Sequence, residues 1–230
     1  MARPSISLKL ATSLDGKIAL ANGQSEWITS EKSRAAGRRL RAEHEAIIIG
    51  SNTAVLDNPQ LTTRIAGAAN PVRIIFDSRL RLSPQSNLAL TARETPVWIF
   101  TALSDGPAYE TLKELGVRLI SLPRGPAGIG VDAGRGVDVS AALQILQESQ
   151  IESALVEGGG TLAASFLRLG AVDIIEWFRA PIILGGDGRS AIGDLGLSSL
   201  DLAHRFRRIE TSELGDDLHE RYEQKRGAGG

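Results

Sequence analysis

Three charged side chains in this sequence stand where a strand or its end could meet a small anionic molecule. Lys9 lies in SISLKLATS, where Ile6, Leu8 and Leu10 alternate with Ser7, Lys9 and Ala11. An extended strand there turns the ammonium away from the leucines, onto a solvated face or beside a substrate. Glu157 ends a strand-type run from Ala154, and Gly158, Gly159 and Gly160 follow at once. Thr161 then opens an apolar-periodic run from Leu162 to Leu169, so the stretch reads as strand, tight turn and helix. Glycines without Cβ let another molecule approach the main chain, and the N–H groups of a helix start favour an anion such as a cofactor phosphate. The spacing is neither that of a GxxxxGK[ST] loop nor that of a GxGxxG fingerprint. Asp57 belongs to a third junction: Ala46–Gly50 is a continuous apolar strand, and beyond it come Ser51, Asn52, Thr53, Asp57 and Arg64 in what reads as a loop. A carboxylate, hydroxyls and an arginine past a strand end sit where open α/β sheets hold their ligands.

Further candidates surround these three. Arg34, Arg38 and Arg41 recur at i, i+4 and i+7 on a helix expected to be capped by Thr29 or Ser30, which aligns three guanidiniums on one face. A solvated basic face is the plain reading of such a run. The apolar strand from Val72 to Phe76 ends in Asp77-Ser78-Arg79-Leu80-Arg81, where a hydroxyl and two arginines suit a 2′-phosphate or simply make a charged turn. Trp27, in the polar loop GQSEWIT, offers a flat face for capping the core or stacking on a ring.

The elements that must hold these residues alternate strand and helix, which predicts an α/β fold with a mostly parallel central sheet flanked by helices. Further strands are expected at Pro96–Thr101, Gly116–Leu122 and Ala171–Phe178. Helices are expected from Pro107 to Leu115 and from a cap at Asp138 or Ser140 through Glu148. His204–Glu210 and Asp217–Tyr222 alternate weakly and predict a C-terminal antiparallel hairpin across Gly215-Asp216. PRGPAGIGVDAGRG, residues 123–136, reads as a surface loop, and residues 224–230 as a frayed tail.

The whole chain of 230 residues is the right size for one domain, with 42% hydrophobic and 23% charged residues. A formal net charge of −1 gives no global pull toward nucleic acid or membrane. The absence of cysteine excludes disulfides and thiolate chemistry, and His44, His204 and His219 lack metal-ligand spacing, so no metal is expected. No apolar run approaches the roughly 20 residues that span a bilayer, and the N-terminus has no signal-peptide pattern. A cytoplasmic protein is expected.

LKLATSLDGKIA, SEWITS, LRAEHEAIIIGSNTAVLDNPQLTTR, PVRIIFDSRLR, LVEGGGTLAASFL and APIILGG, in this order, resemble the pyrimidine reductases of riboflavin biosynthesis. That family forms the C-terminal half of a bifunctional deaminase-reductase and has a dihydrofolate-reductase-like fold. The resemblance runs from Ser5 to about Gly188 and fades in the tail. The chain contains no HxE with PCxxC, so a reductase domain without its deaminase is expected. The resemblance implies NADPH-dependent reduction of the ribosyl group of 5-amino-6-(5-phosphoribosylamino)uracil, with hydride delivered to C1′ of the opened, imine-like sugar, and it suggests a homodimer. Carried over by motif, Ala11, Trp27, Thr53, Asp57, Ser78 with Arg79, and the turn through Gly158, Gly159, Gly160, Thr161, Leu162 and Ser165 fall at cofactor positions. Ser25, Arg41, Leu61, Arg64 and Glu157 fall at substrate positions. Lys9 and Asp57 are then candidates for proton delivery and alignment at the imine nitrogen, with Glu157 orienting the sugar or the pyrimidine. A pterin or dihydrofolate-like substrate is the rival reading, and the phosphate-binding potential of Arg41 and Arg64 argues against it.

Overall fold

The structure is a computed structural model that describes residues 3–26, 28–125 and 136–225. Trp27, residues 126–135 of the expected surface loop and residues 226–230 of the expected tail lie outside the described residues.

Eleven strands and six helices are laid out along the described chain: β1 (Ser5–Thr12), β2 (Lys17–Ala19), α1 (Glu31–Ala42), β3 (Ala46–Gly50), α2 (Ser51–Asp57), β4 (Val72–Phe76), α3 (Asn87–Leu90), β5 (Val97–Thr101), α4 (Pro107–Glu114), β6 (Arg118–Ser121), α5 (Val139–Glu148), β7 (Ser153–Glu157), α6 (Gly160–Arg168), β8 (Ile174–Arg179), β9 (Arg189–Ser190), β10 (Phe206–Leu214) and β11 (Asp217–Gln224). Nine strands form one sheet in the order β10-β11-β8-β1-β7-β3-β4-β5-β6, and β2 pairs with β9 apart from it. Pairing from β8 to β6 is parallel, and the closing hairpin makes β11 antiparallel to both neighbours. The chain steps outward from β3 to β6, returns to insert β7 between β1 and β3, and then crosses to β8. The carboxyl ends of β1, β7, β3 and β4 therefore stand side by side, at the kind of switch point where open sheets bind ligands.

Patterning explains the layers. Ile6, Leu8, Leu10, Ile48, Ile74, Phe100 and Val156 bury one sheet face against Leu143, Leu146, Leu162 and Phe166 of α5 and α6. On the other face Ile47, Ile49, Ile75, Val97 and Ile99 pack with Leu88 and Leu112 of α3 and α4. Leu155 and Phe178 pack under Leu40 of α1. Ser30 caps α1 by accepting from Ser33 N, and Asp138 caps α5 through Ser140 N and Ala141 N.

Four details correct the sequence reading. Ser51–Asp57, expected as loop, is a two-turn helix. Its N-cap is Gly50, which makes no side-chain cap bond, so the capping signal was missing from the sequence. α3 is a single turn capped by Ser86, and β9 is two residues long, both too short for a periodicity to register. Gln224 belongs to β11, paired with Phe206, rather than to a frayed tail. The hairpin turns at the expected Gly215-Asp216, but β10 runs on to Leu214.

Candidate active site

At the register shared by β7, β1 and β8, Glu157 pairs with Lys9 and Lys9 with Glu176, so three charged residues share one row and one face of the sheet. Helix α1 crosses above them. Arg41, in its last turn, grips Glu157 with a two-pronged contact: Nε donates to Oε1 at 2.8 Å and Nη2 to Oε2 at 2.8 Å. Nη1 donates to the Thr62 carbonyl at 3.2 Å, which ties the same guanidinium to the Asn58–Arg64 loop. Lys9 Nζ lies 3.9 Å from Glu157 Oε2 and 5.9 Å from the centroid of the Phe178 ring. Burial works against a charge on Glu157, but Lys9, Arg41 and His44 outweigh it and hold the carboxyl below its usual range. Burial likewise opposes the charge on Arg41, and Glu157 more than restores it. The three groups form an ionised cluster that presents fixed charge at the sheet edge.

His44 completes the underside. Its Nδ1 meets the Leu40 carbonyl at 2.7 Å, at the end of α1 where Glu43 N also bonds it, and its Nε2 meets Ser7 Oγ at 2.9 Å. At the opposite end Asp217 Oδ2 accepts from Ser30 N at 2.7 Å and Ser33 Oγ at 2.5 Å. Helix α1 is thus fastened at both termini, which sets where Arg41 falls. The expected row of three arginines divides: Arg34 and Arg38 pair with exposed Glu31, whereas Arg41 turns inward.

Beside Glu157 the chain turns through Gly158 and Gly159, at φ +81° and +86°, into α6. Such angles favour glycine, and a Cβ on Gly158 would lie 3.1 Å from Thr53 Oγ1. The first intrahelical bond is Ala163 N to the Gly159 carbonyl, so the N–H groups of Gly160, Thr161 and Leu162 precede the helical ladder and point out of its start. Gly160 has a separate reason to be glycine. A Cβ there would lie 2.5 Å from the Ser190 carbonyl, and the Gly160 carbonyl accepts from Gly193 N at 2.9 Å. Ser165 Oγ donates back to the Thr161 carbonyl.

A cleft of about 2500 Å³ runs along these strand ends. Its wall includes Lys9 and Ala11 of β1, Ser25, Arg41, Thr53 and Asp57 of α2, Leu61, Arg64, Ser78, Arg79, Glu157 and the turn Gly158 to Ser165. Every candidate within the described residues borders this one cleft. Asp57 is exposed on the wall, and burial by the protein on its inner side pushes its carboxyl above the usual range.

Arg81, which the sequence sets beside Arg79 as a candidate anion ligand, donates from Nη2 to Ser51 Oγ at 2.6 Å and Asn52 Oδ1 at 2.5 Å and so ties the turn after β4 to the start of α2. Sequence reasoning missed the backbone strain: Asn58, Leu61, Arg64 and Leu80 all have positive φ, from 40° to 57°. Left-handed backbone in non-glycine residues costs about 1–3 kcal/mol each and gathers at functional sites. Asn58 carries a visible propensity for it, and the other three carry no signal in the sequence.

The sheet order, the strand-end cleft and the glycine turn define an open α/β protein with a ligand site at its switch point. The chain belongs to the RibD C-terminal domain family, whose model matches residues 4–219. The 2,5-diamino-6-ribosylamino-4(3H)-pyrimidinone 5′-phosphate reductase of Methanothermobacter thermautotrophicus is 36% identical over 227 residues, covering 97% of this chain and 99% of that protein. Riboflavin biosynthesis protein RibD of Aquifex aeolicus is 39% identical over 217 residues, 94% of this chain and 56% of that protein. The chain spans about half the length of the RibD relatives it matches. Among solved structures, Acinetobacter baumannii RibD (form 2) superposes with a TM-score of 0.81 at 27% identity, over 97% of this chain and 58% of that one. Dihydrofolate reductase from Enterococcus faecalis, at 13% identity and a TM-score of 0.53 over 96% of this chain and 97% of that one, shares the fold, as the dihydrofolate-reductase-like expectation required.

Proposed function

We propose that this chain is an NADPH-dependent reductase that converts the ribosyl group of 5-amino-6-(5-phosphoribosylamino)uracil to the ribitylamino product, as one catalytic domain, in the cytoplasm and as a homodimer. The observation that carries the reading is the ionised Lys9–Glu157–Arg41 cluster directly beside the glycine turn, at the strand ends of a family whose named relatives are reductases of this pathway. No helix among the described residues is long and apolar enough to cross a membrane.

The donor set fits NADPH. The N–H groups at the start of α6 suit the pyrophosphate, and the positive φ of Gly158 and Gly159 turns the chain past Thr53 into that start. Ser78 and Arg79 suit a 2′-phosphate, while Ala11, Thr53 and Asp57 border the space between. Trp27, carried over as a cofactor residue, belongs to this proposal on sequence alone. Bound NADPH supplies the hydride; the chain's own side chains do the rest. Arg64 and Arg41 answer the substrate phosphate, with Ser25 and Leu61 lining its path. Glu157, locked by Arg41, accepts from the donors of the pyrimidine or the sugar. Lys9, whose ammonium lies beside Glu157, donates to the imine nitrogen as C1′ is reduced, so nitrogen gains the proton and carbon the hydride. Asp57, which borders the same cleft, aligns that nitrogen.

A specific observation favours one neighbouring substrate. The relative that matches over its whole length is named for the 2,5-diamino pyrimidinone, which carries an amino group where the uracil carries an oxygen. The test is NADPH oxidation with the uracil compound, the diamino compound and dihydrofolate side by side. Turnover of the uracil compound is expected. Preference for the diamino compound would move the assignment to that substrate, and turnover of dihydrofolate only would refute the proposal. Asp57→Asn with normal turnover would remove Asp57 from its role.

A further inference from the structure

Lys9 sits between two buried carboxylates, and only one of them holds it. Glu157 of β7 and Glu176 of β8 are its register partners on either side, at the strand spacing of about 4.8 Å. The row continues: Glu176 pairs with Arg221 of β11, and Arg221 with Glu210 of β10, so charge alternates across five adjacent strands. Glu176 is 1% exposed. A buried carboxylate in this position would take an ammonium from the neighbouring strand, because an unpaired buried charge is costly.

The C-terminal hairpin prevents this. His219 Nε2 meets Glu176 Oε2 at 2.8 Å, and Arg221 Nε lies 3.2 Å from Oε1, an ion pair without hydrogen-bond geometry. Both oxygens of Glu176 thus face β11. His219 also stacks on Phe178, with ring centroids 4.3 Å apart and planes within 5°, on the ring that the Lys9 ammonium approaches. On the Glu157 side of Lys9 stand Arg41 and His44, and on the Glu176 side His219 and Arg221.

We infer that His219 and Arg221 are positioning residues for the reaction: they hold Glu176 on the hairpin and so leave Lys9 directed at Glu157 and the cleft. The inference rests on the proposed role of Lys9 and adds to it a competitor carboxylate and a guard. Tail residues outside the cleft thereby acquire an influence on turnover.

The test is H219F, which keeps a ring against Phe178 but cannot bond Glu176, alone and combined with E176Q. H219F is expected to lower kcat about tenfold with little change in the KM for NADPH, since Glu176 turns to Lys9. H219F/E176Q is expected to recover to within about threefold of the native kcat, because a neutral amide does not compete for an ammonium. A role in folding alone would give no such rescue. R221Q, at a half-exposed site, is the second variant should H219F fail to fold, with a smaller loss that E176Q also reverses. The lysine ε-13C resonance assigned through K9M reports the contact without reference to activity. It should shift in H219F and return in the double variant. Native kcat in folded H219F, a double variant no better than H219F, or an unmoved Lys9 resonance would each overturn the inference. Native turnover in K9M, with the Lys9 resonance shifted in H219F, would instead refute the role given to Lys9.

Discussion

One face of the central sheet is divided between two kinds of interior. Under α3 and α4 it is aliphatic along the row of Ile49, Ile75 and Ile99, with Ile47 and Val97 beside it, and a buried charge, Arg73, sits toward the amino end of β4, bonded to Thr91 and to the carbonyls of Gln60, Thr91 and Thr95. Under α1, at equivalent rows, it carries Glu157, Lys9 and Glu176 with His219 and Arg221 at its margin. Both halves have parallel strands and a helical cover, so the sheet does not require charges at its carboxyl ends. A buried ion pair is commonly no better for stability than well-packed apolar residues. The difference teaches that the charged half is held for what it presents at the strand ends, and that much of its surroundings, from His44 to Asp217, exists to keep the charges paired.

The apolar half should break by losing stability alone. Ile99→Ala, at a fully buried position away from the cleft, is expected to cost about 2–5 kcal/mol in urea unfolding while leaving KM values unchanged. At the border between the halves, Gly160→Ala drives a Cβ into the Ser190 carbonyl and should cost about 1–3 kcal/mol, read as a lowered melting temperature. In the charged half, Arg41→Lys keeps the charge and loses the fork. It should cost only about 1–2 kcal/mol of stability but raise the KM for the phosphorylated substrate. The smallest effect is with pH. The folded carboxyl of Glu157 is held below its unfolded value, so its stabilising contribution is complete above the unfolded range of about 4.3 and fades as pH falls through the lower folded value. The stability gap between the native chain and Glu157→Gln should therefore narrow in acid urea melts. A constant gap would mean that Glu157 contributes no linked charge.

The sequence was most legible where one residue type had one local job. Strands β1, β3, β4 and β7 followed from alternation or aliphatic runs, and the glycine turn from three residues without Cβ. The identity of Glu157 and Lys9 as candidates followed from their places beside those elements. Their pairing with Arg41 did not, because it depends on how α1 crosses the sheet, and the anchors for that crossing come from Ser7 and Asp217, far apart in sequence. Spacing alone put Arg41 with Arg34 and Arg38 on one basic face; packing split them. Helix α2 was hidden because glycine caps it without a side-chain bond, and Glu176 because a carboxylate in an apolar strand gives no hint of its cross-strand partners until the hairpin is in place.

The central claim is that Lys9 is kept in the charged half for chemistry rather than for folding. Its most direct test is Lys9→Met, with turnover and urea stability measured on the same preparation. The claim predicts a fall in kcat of about 10²–10⁴-fold, with stability changed by less than about 1 kcal/mol because Arg41 still holds Glu157. Native turnover in a Lys9→Met chain, or a loss of activity that only follows a loss of fold, would contradict it.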